Sequence, residues 1–343
     1  MFKKLGIAAA SVLVAASAMA SNFRVADQVY VPAAGHITAG GVTFVTDVFV
    51  SNLSTDPVTV TVYYASGQNG TQTPAQATFN LAANERKEFV DFFANMTFTP
   101  AVTNAFGQLI FNGCKQGTSC GADTQDANGV SPNFRNISVE SRTYSFKSTE
   151  SVASNSGTNG QLFSGLPWYN YVSQDQAANG LDKVFITGIR NTGVSGAANT
   201  SRTNLGVVNA SQFSNTEIVF NLYSGSAPGT LVATKTVPLG PLGTYGPTSL
   251  TSIFGSITGT NYFVTVNQQN STATSDAPAG CSADGCAGFF AYGSLLDNTT
   301  QDATTLESQY LLPLTDAQIN CIYPAAGTTP CKGTAPIHRS SKH

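Results

Sequence analysis

The strongest constraint on this chain is an alternation of apolar and polar residues that is laid down once and then repeated in the same order. Val58-Thr59-Val60-Thr61-Val62-Tyr63-Tyr64 alternates with a period of two, which turns one face of a strand toward a core. Val42-Thr43-Phe44-Val45 and Asp47-Val48-Phe49-Val50 precede it, and turn-forming clusters at 51–57 and 66–70 bound it. The second pass matches element by element: 203–209 answers 46–52, 216–223 answers 58–64, 233–239 answers 77–81, and 261–266 answers 107–111. In each half a cysteine-bearing loop follows, and then another strand, at 137–146 and 288–296. Helical character is confined to single turns at 89–93 and 250–254. The pattern predicts an all-β chain of two tandem antiparallel β-sandwich domains of seven to nine strands, related by internal duplication. They span 21–146 and 184–310, joined by a linker at 147–183 and followed by a tail at 311–343.

The N-terminus predicts export. Lys3 and Lys4 precede an apolar run over 5–16, and Ala18-Met19-Ala20 supplies small residues for cleavage. Residues 1–20 thus read as a cleavable signal peptide. The run is too short and too rich in Ala and Ser for a retained anchor, and no later stretch reaches the length of a membrane helix. No cysteine follows the cleavage site, which argues against lipidation, and the tail shows neither a sortase-type motif nor a hydrophobic anchor. The expected location is extracellular or at the cell surface, with the periplasm as the alternative. Losing Lys3 and Lys4 takes the formal charge from −3 to −3 − 2 = −5. With only 10% charged residues, nothing here could neutralise a row of phosphates, so nucleic acid is excluded as a partner. The 21 Phe and 12 Tyr supply core material that a disordered chain lacks.

The six cysteines fall into three close pairs, Cys114 with Cys120, Cys281 with Cys286 and Cys321 with Cys331. In an exported chain this reads as three short-loop disulfides, each contributing roughly 2–3 kcal/mol by chain entropy. The spacings are not those of a zinc site, and His36, His338 and His343 are remote from them.

Several segments resemble a widespread group of uncharacterised secreted bacterial β-proteins. They are Val31-Pro32-Ala33-Ala34-Gly35-His36, Thr46-Asp47 through Asn52, Ser141-Arg142-Thr143-Tyr144, Gly157-Thr158-Asn159-Gly160-Gln161, the run from Arg202 to Asn209, and the run from Tyr292 to Asn298. The resemblance covers most of residues 29–310. Phe44 departs from it, because tryptophan is common there, and the extra disulfide loops look like local elaborations. The resemblance implies export and tandem Ig-like sandwiches. It implies no activity and no catalytic residue.

The search for catalytic chemistry yields little. There is no G-x-S-x-G elbow, and His36 is the only histidine inside the expected domains. A Ser-His-Asp arrangement would have to centre on it, in what reads as a loop before the first strand. The acids Glu85, Asp91, Glu140 and Glu217 are too scattered to pair as glycosidase carboxylates. For metals, calcium is the best inorganic candidate, at Asp123 with Asp126 and at Asp297 with Asp302, where hard oxygen donors gather in one loop. Neither loop matches the Ca-binding pattern, and Asp and Asn are also ordinary turn formers. Asp47 and its counterpart Asn204 each keep a short polar acceptor that should bond to adjacent loop backbone at a strand or bulge. Trp168, Tyr169 and Tyr171 form an aromatic cluster, expected to pack between the domains or else to serve as a ligand platform.

The sequence therefore predicts a non-enzymatic secreted protein acting through its surfaces, adhesin-like or an extracellular-matrix component. Its partner would be a glycan or another surface protein. Self-association into a fibre or surface layer through sheet edges, and a carbohydrate-binding module using Trp168, Tyr169 and Tyr171, are the alternatives.

Overall fold

The structure, a computed structural model, describes residues 25–39, 41–121, 124, 131–147, 160–174, 177, 182–225, 229–278 and 281–310. Alternation translates directly into strands: Val58, Val60, Val62 and Tyr64 are buried, whereas Thr59, Thr61 and Tyr63 are half-buried. The first domain runs β1 (Gln28–Ala39), β2 (Val42–Asn52), β3 (Val58–Ala65), β4 (Ala75–Leu81), β5 (Arg86–Phe89), α1 (Phe92–Asn95), β6 (Ala105–Lys115), β7 (Ile137–Lys147), β8 (Gly160–Ser164) and β9 (Leu166–Pro167). The second runs β10 (Lys183–Asn191), β11 (Ser201–Asn209), β12 (Ser214–Ser224), β13 (Leu231–Leu239), β14 (Thr244–Ser249), α2 (Leu250–Phe254), β15 (Gly259–Ala273), β16 (Phe289–Asp297), β17 (Ala303–Glu307) and β18 (Gln309–Tyr310).

The two domains have one topology. Strands follow the order β4-β3-β6-β1-β2-β7-β8, with β5 on β2 and β9 on β1; the second domain repeats it as β13-β12-β15-β10-β11-β16-β17, with β14 on β11 and β18 on β10. Neighbours pair antiparallel throughout. β1 passes from one layer of the sandwich to the other. Its first residues pair with β6 and β9 and its last with β2, with a register shift between Val31 and Ala34. β10 repeats the irregularity between Ile186 and Ile189. Such bulges let one strand serve two layers.

The duplication reaches individual hydrogen bonds. Thr46 Oγ1 accepts the Gly35 N–H at 2.8 Å, and Thr203 Oγ1 accepts the Arg190 N–H at 3.0 Å. Asn52 Nδ2 donates to the carbonyls of Asp56 and Ala82, and Asn209 Nδ2 to those of Ser214 and Gly240, all at 2.8 Å. These two asparagines close equivalent strand ends by satisfying carbonyls that no ladder reaches.

Three sequence expectations need correction. The connection at 147–183 is not all linker, because β8 pairs with β7 and β9 with β1. Its short, Gly-punctuated runs hid strands that only neighbouring edges could order. His36 lies within β1, opposite Val45 and Ala105, rather than in a loop before it. Its strand also carries Pro32 and small residues, which mask the alternation. The third correction concerns only the ligand-platform alternative for the aromatic cluster: Trp168, Tyr169 and Tyr171 are buried, in line with the packing expectation, so none offers a stacking face. Trp168 is 2% exposed and donates its indole N–H to Asp27 Oδ1 at 3.0 Å. Tyr169 donates to the Val25 carbonyl at 3.0 Å, and Tyr171 lies against Gly288 of the second domain.

Each domain has its own core, and the first reaches across the interface. The first domain's cluster extends into Val208, Ala210, Leu242 and Phe290 of the second. Tyr30 donates to the Ala210 carbonyl at 3.0 Å, and Gln108 Nε2 donates to the carbonyls of Asn209 and Leu242 at 3.0 and 2.9 Å. Backbone joins backbone as well: Thr71 N–H to Pro241 O at 2.7 Å, Thr244 N–H to Gly67 O at 2.9 Å and Gly240 N–H to Gln68 O at 3.0 Å. Gly70, with φ of 62°, makes that approach possible, since a Cβ there would stand 1.9 Å from Pro241 O. The Cys114–Cys120 and Cys281–Cys286 disulfides are formed at matching points, after β6 and β15. Cys321, Cys331 and the signal segment lie outside the described residues.

Candidate ligand-binding cleft between the domains

Arg202, Asn204 and Gly206 occupy alternate positions of β11 and so project to one face. Opposite them on β16 stand Leu296, Ser294 and Tyr292. Together these side chains form one wall of a cleft of about 460 Å³ between the domains. The first domain builds the facing wall by the same register logic. Thr143 and Ser145 alternate on β7, Phe44 lies opposite Ser145, Ile37 opposite Phe44, and Gln161 opposite Thr143. The volume falls within the range of small-molecule sites, about 300–1,000 Å³.

Gly206 is needed for this geometry. A Cβ on it would stand 2.2 Å from Tyr292 Cζ and 2.4 Å from the Tyr292 hydroxyl, so only glycine lets the ring lie across the strand. Phe163 meets the ring edge-on, with centroids 5.4 Å apart. This wedge holds Tyr292 at 4% exposure. Its hydroxyl has no hydrogen-bond partner among the described residues, and burial raises its pKa, so it remains an O–H donor at ordinary pH.

Arg202 Nη1 donates to Asn298 Oδ1 at 2.5 Å and Nη2 to Gln301 Oε1 at 2.8 Å. Both acceptors are neutral amides, which orient the guanidinium without cancelling its charge. Among the described residues it forms no ion pair, and it is the only charged side chain lining the cleft. Burial lowers its pKa, but a guanidinium stays protonated in proteins. The Asn204 carboxamide also makes no hydrogen bond among the described residues. Phe44, 37% exposed, is the only aromatic among the exposed large apolar side chains described.

Sequence reasoning missed this site. It read Arg202 and Asn204 as parts of a strand motif and Phe44 as a departure from tryptophan. The available signal was the phase of β2: Thr43 and Val45 are buried, so Phe44 between them faces outward.

A second polar cluster lies within the first domain. His36 Nδ1 is 2.8 Å from Asp91 Oδ1, the Asp91 N–H donates to Asp47 Oδ1 at 2.9 Å, and the Tyr144 hydroxyl donates to the same oxygen at 3.3 Å. Asp47 thus bonds to backbone 44 residues away rather than to the adjacent loop, and Asn204 makes no such bond among the described residues. Burial raises the Asp47 pKa, opposed by the bonds from Asp91 and Tyr144. Burial, then the Asp47 charge, pushes the Tyr144 hydroxyl up. Among the described residues no serine hydroxyl bonds to His36. Glu85 caps the Ala82 N–H, Glu217 bonds the amides of Gln269 and Asn270, and Glu140 lies in β7.

Of the calcium candidates, Asp123 and Asp126 lie outside the described residues. Asp297 is a turn former: its Oδ1 accepts the N–H groups of Thr299 and Thr300, both at 2.8 Å, and these lower its pKa. Asp302 Oδ1 accepts the Ala303 N–H at 3.1 Å. Among the described residues no three His, Cys, Asp or Glu side chains gather into a metal site, and no helix is long and apolar enough to cross a membrane.

No protein-family profile matches the chain, and no curated protein does. Among solved structures it is similar to the PBSX exported protein XepA, at 12% identity over 72% of this chain and 84% of that one, with a TM-score of 0.20. It is also similar to Bacteroides uniformis β-glucuronidase 2, at 12% identity over 79% of this chain and 26% of that one, with a TM-score of 0.13. Likeness this slight carries no functional argument.

Proposed function

We propose that this protein is an exported, non-enzymatic β-sandwich protein that works by surface binding, as an adhesin-like or matrix component, with the interdomain cleft as its binding site. The observation that carries this reading is the cleft itself. It combines an exposed Phe44 ring with donors on Asn204, Tyr292 and the remaining N–H groups of Arg202 that find no acceptor among the described residues. Groups of this kind, held on strands, favour a ligand that supplies the missing partners. The N-terminal signal pattern and the two disulfides favour an oxidising compartment. Binding of the mature protein to a glycan and surface-protein panel should be lost in Phe44→Ala and retained in an equally folded Leu53→Ala control. Equal loss in both would refute the assignment to the cleft.

A fibre subunit is the second reading, favoured by the outermost strands β4 and β13, the latter exposing Leu231 and Val232. Lys235 and Pro238 on β13 blunt that edge. A monodisperse monomer in size-exclusion chromatography would remove this reading.

A further inference from the structure

We infer that the cleft selects a carboxylate-bearing saccharide, with Arg202 receiving the carboxylate and Phe44 stacking on the sugar ring. This rests on the cleft being the binding site, as proposed above, and adds the chemical class of the ligand.

Charge comes first. Two of the five N–H groups of a guanidinium are spent on Asn298 and Gln301, which leaves three for a ligand. A planar, pre-oriented fork suits a carboxylate, which can accept two parallel bonds. No acid in the described lining competes for it. The amides that hold Arg202 are themselves anchored, since Asn298 is buried and donates to Thr200 Oγ1 at 2.9 Å. The cation is therefore positioned in advance and has no counter-charge among the described residues.

Sugar chemistry follows from the remainder of the wall. Tyr292, a buried residue, contributes a hydroxyl without a partner among the described residues, lying where a Gly206 side chain would project, on the face shared by Arg202 and Asn204. Asn204 offers both a donor and an acceptor, which matches the dual character of a sugar hydroxyl. Across the gap, the Phe44 ring is open to solvent and presents an apolar face of the kind that packs on the C–H side of a pyranose. A simple inorganic anion would use Arg202 and leave Phe44, Asn204 and Tyr292 idle.

The test titrates the disulfide-intact mature protein by calorimetry with tri-galacturonate, its methyl ester, sialyllactose and lactose. At least one acidic probe should bind about 10- to 100-fold more tightly than its neutral counterpart, the range expected for a charge-assisted contact. Arg202→Gln, which removes the charge but keeps an amide, should abolish that preference, with the melting temperature measured alongside to show that the variant is folded. Arg202→Lys should restore part of it. The comparison of ester with acid needs only the wild-type protein and so holds even if a variant fails to fold. Equal binding of acid and neutral probes, still lost in Phe44→Ala, would overturn the carboxylate inference and leave the cleft standing as the site. Binding insensitive to Phe44→Ala would overturn both, and no binding of either acidic probe would overturn the inference.

Discussion

Replacing Gln108 by leucine tests whether the two domains behave as one body. The Gln108 side chain is fully buried, and its amide nitrogen donates across the interface to the carbonyls of Asn209 and Leu242. Leucine has nearly the same volume, so packing is kept while both donated bonds are lost. Each buried carbonyl left without a donor costs about 1–3 kcal/mol. Against this, Gln108 Oε1 has no partner in the wild type, and removing it returns a similar single amount. The net expectation is a loss of about 1–3 kcal/mol, concentrated at the interface. Scanning calorimetry should show a single transition for wild type, because the first domain's core reaches across the interface, and a split or broadened one for Gln108→Leu. Urea unfolding followed by circular dichroism gives the magnitude. A single transition with stability within about 0.5 kcal/mol of wild type, the usual range of a neutral surface change, would refute this account of the interface.

Gly206→Ala should cost about 1–3 kcal/mol by overpacking against Tyr292, and the cost should largely vanish in a Tyr292→Leu background; additive losses in a double-mutant cycle would contradict the wedge. Asp47→Asn tests the raised pKa of that carboxyl. A carboxyl with a raised folded-state pKa opposes folding at pH above that value, and the penalty fades as pH falls toward the unfolded value of 3.8. The variant, which mimics Asn204 of the other domain and still accepts the Asp91 N–H, should melt higher than wild type at pH 7 and converge with it near pH 4. A gap that widened on acidification would have the wrong sign. Replacing Cys281 and Cys286 together by serine should lower stability by about 2 kcal/mol, as expected for so short a loop, and leave ligand binding intact, because neither lines the cleft.

The sequence by itself determined the secondary structure and its repetition. Alternation depends on neighbours along the chain, so the β3 run and its partner in β12 were legible, as were the two helical turns and the cysteine loops. The Asn52 and Asn209 strand ends could be aligned for the same reason. Strands β8, β9, β17 and β18 were less visible, because short segments become strands only when an existing edge supplies their hydrogen bonds. Only the tertiary structure decided what the aromatic residues do. Trp168 was expected either to pack between the domains or to serve as a platform, and it is sealed against Asp27, whereas Phe44, read only as a departure from tryptophan, stands at the cleft. The cleft exists because β11 and β16 face β2, β7 and β8 across an interface whose walls come from distant parts of the chain, with Phe44 and Arg202 separated by 202 − 44 = 158 residues. Arg202 and Phe44 meet there through domain packing, a relation that no local pattern encodes.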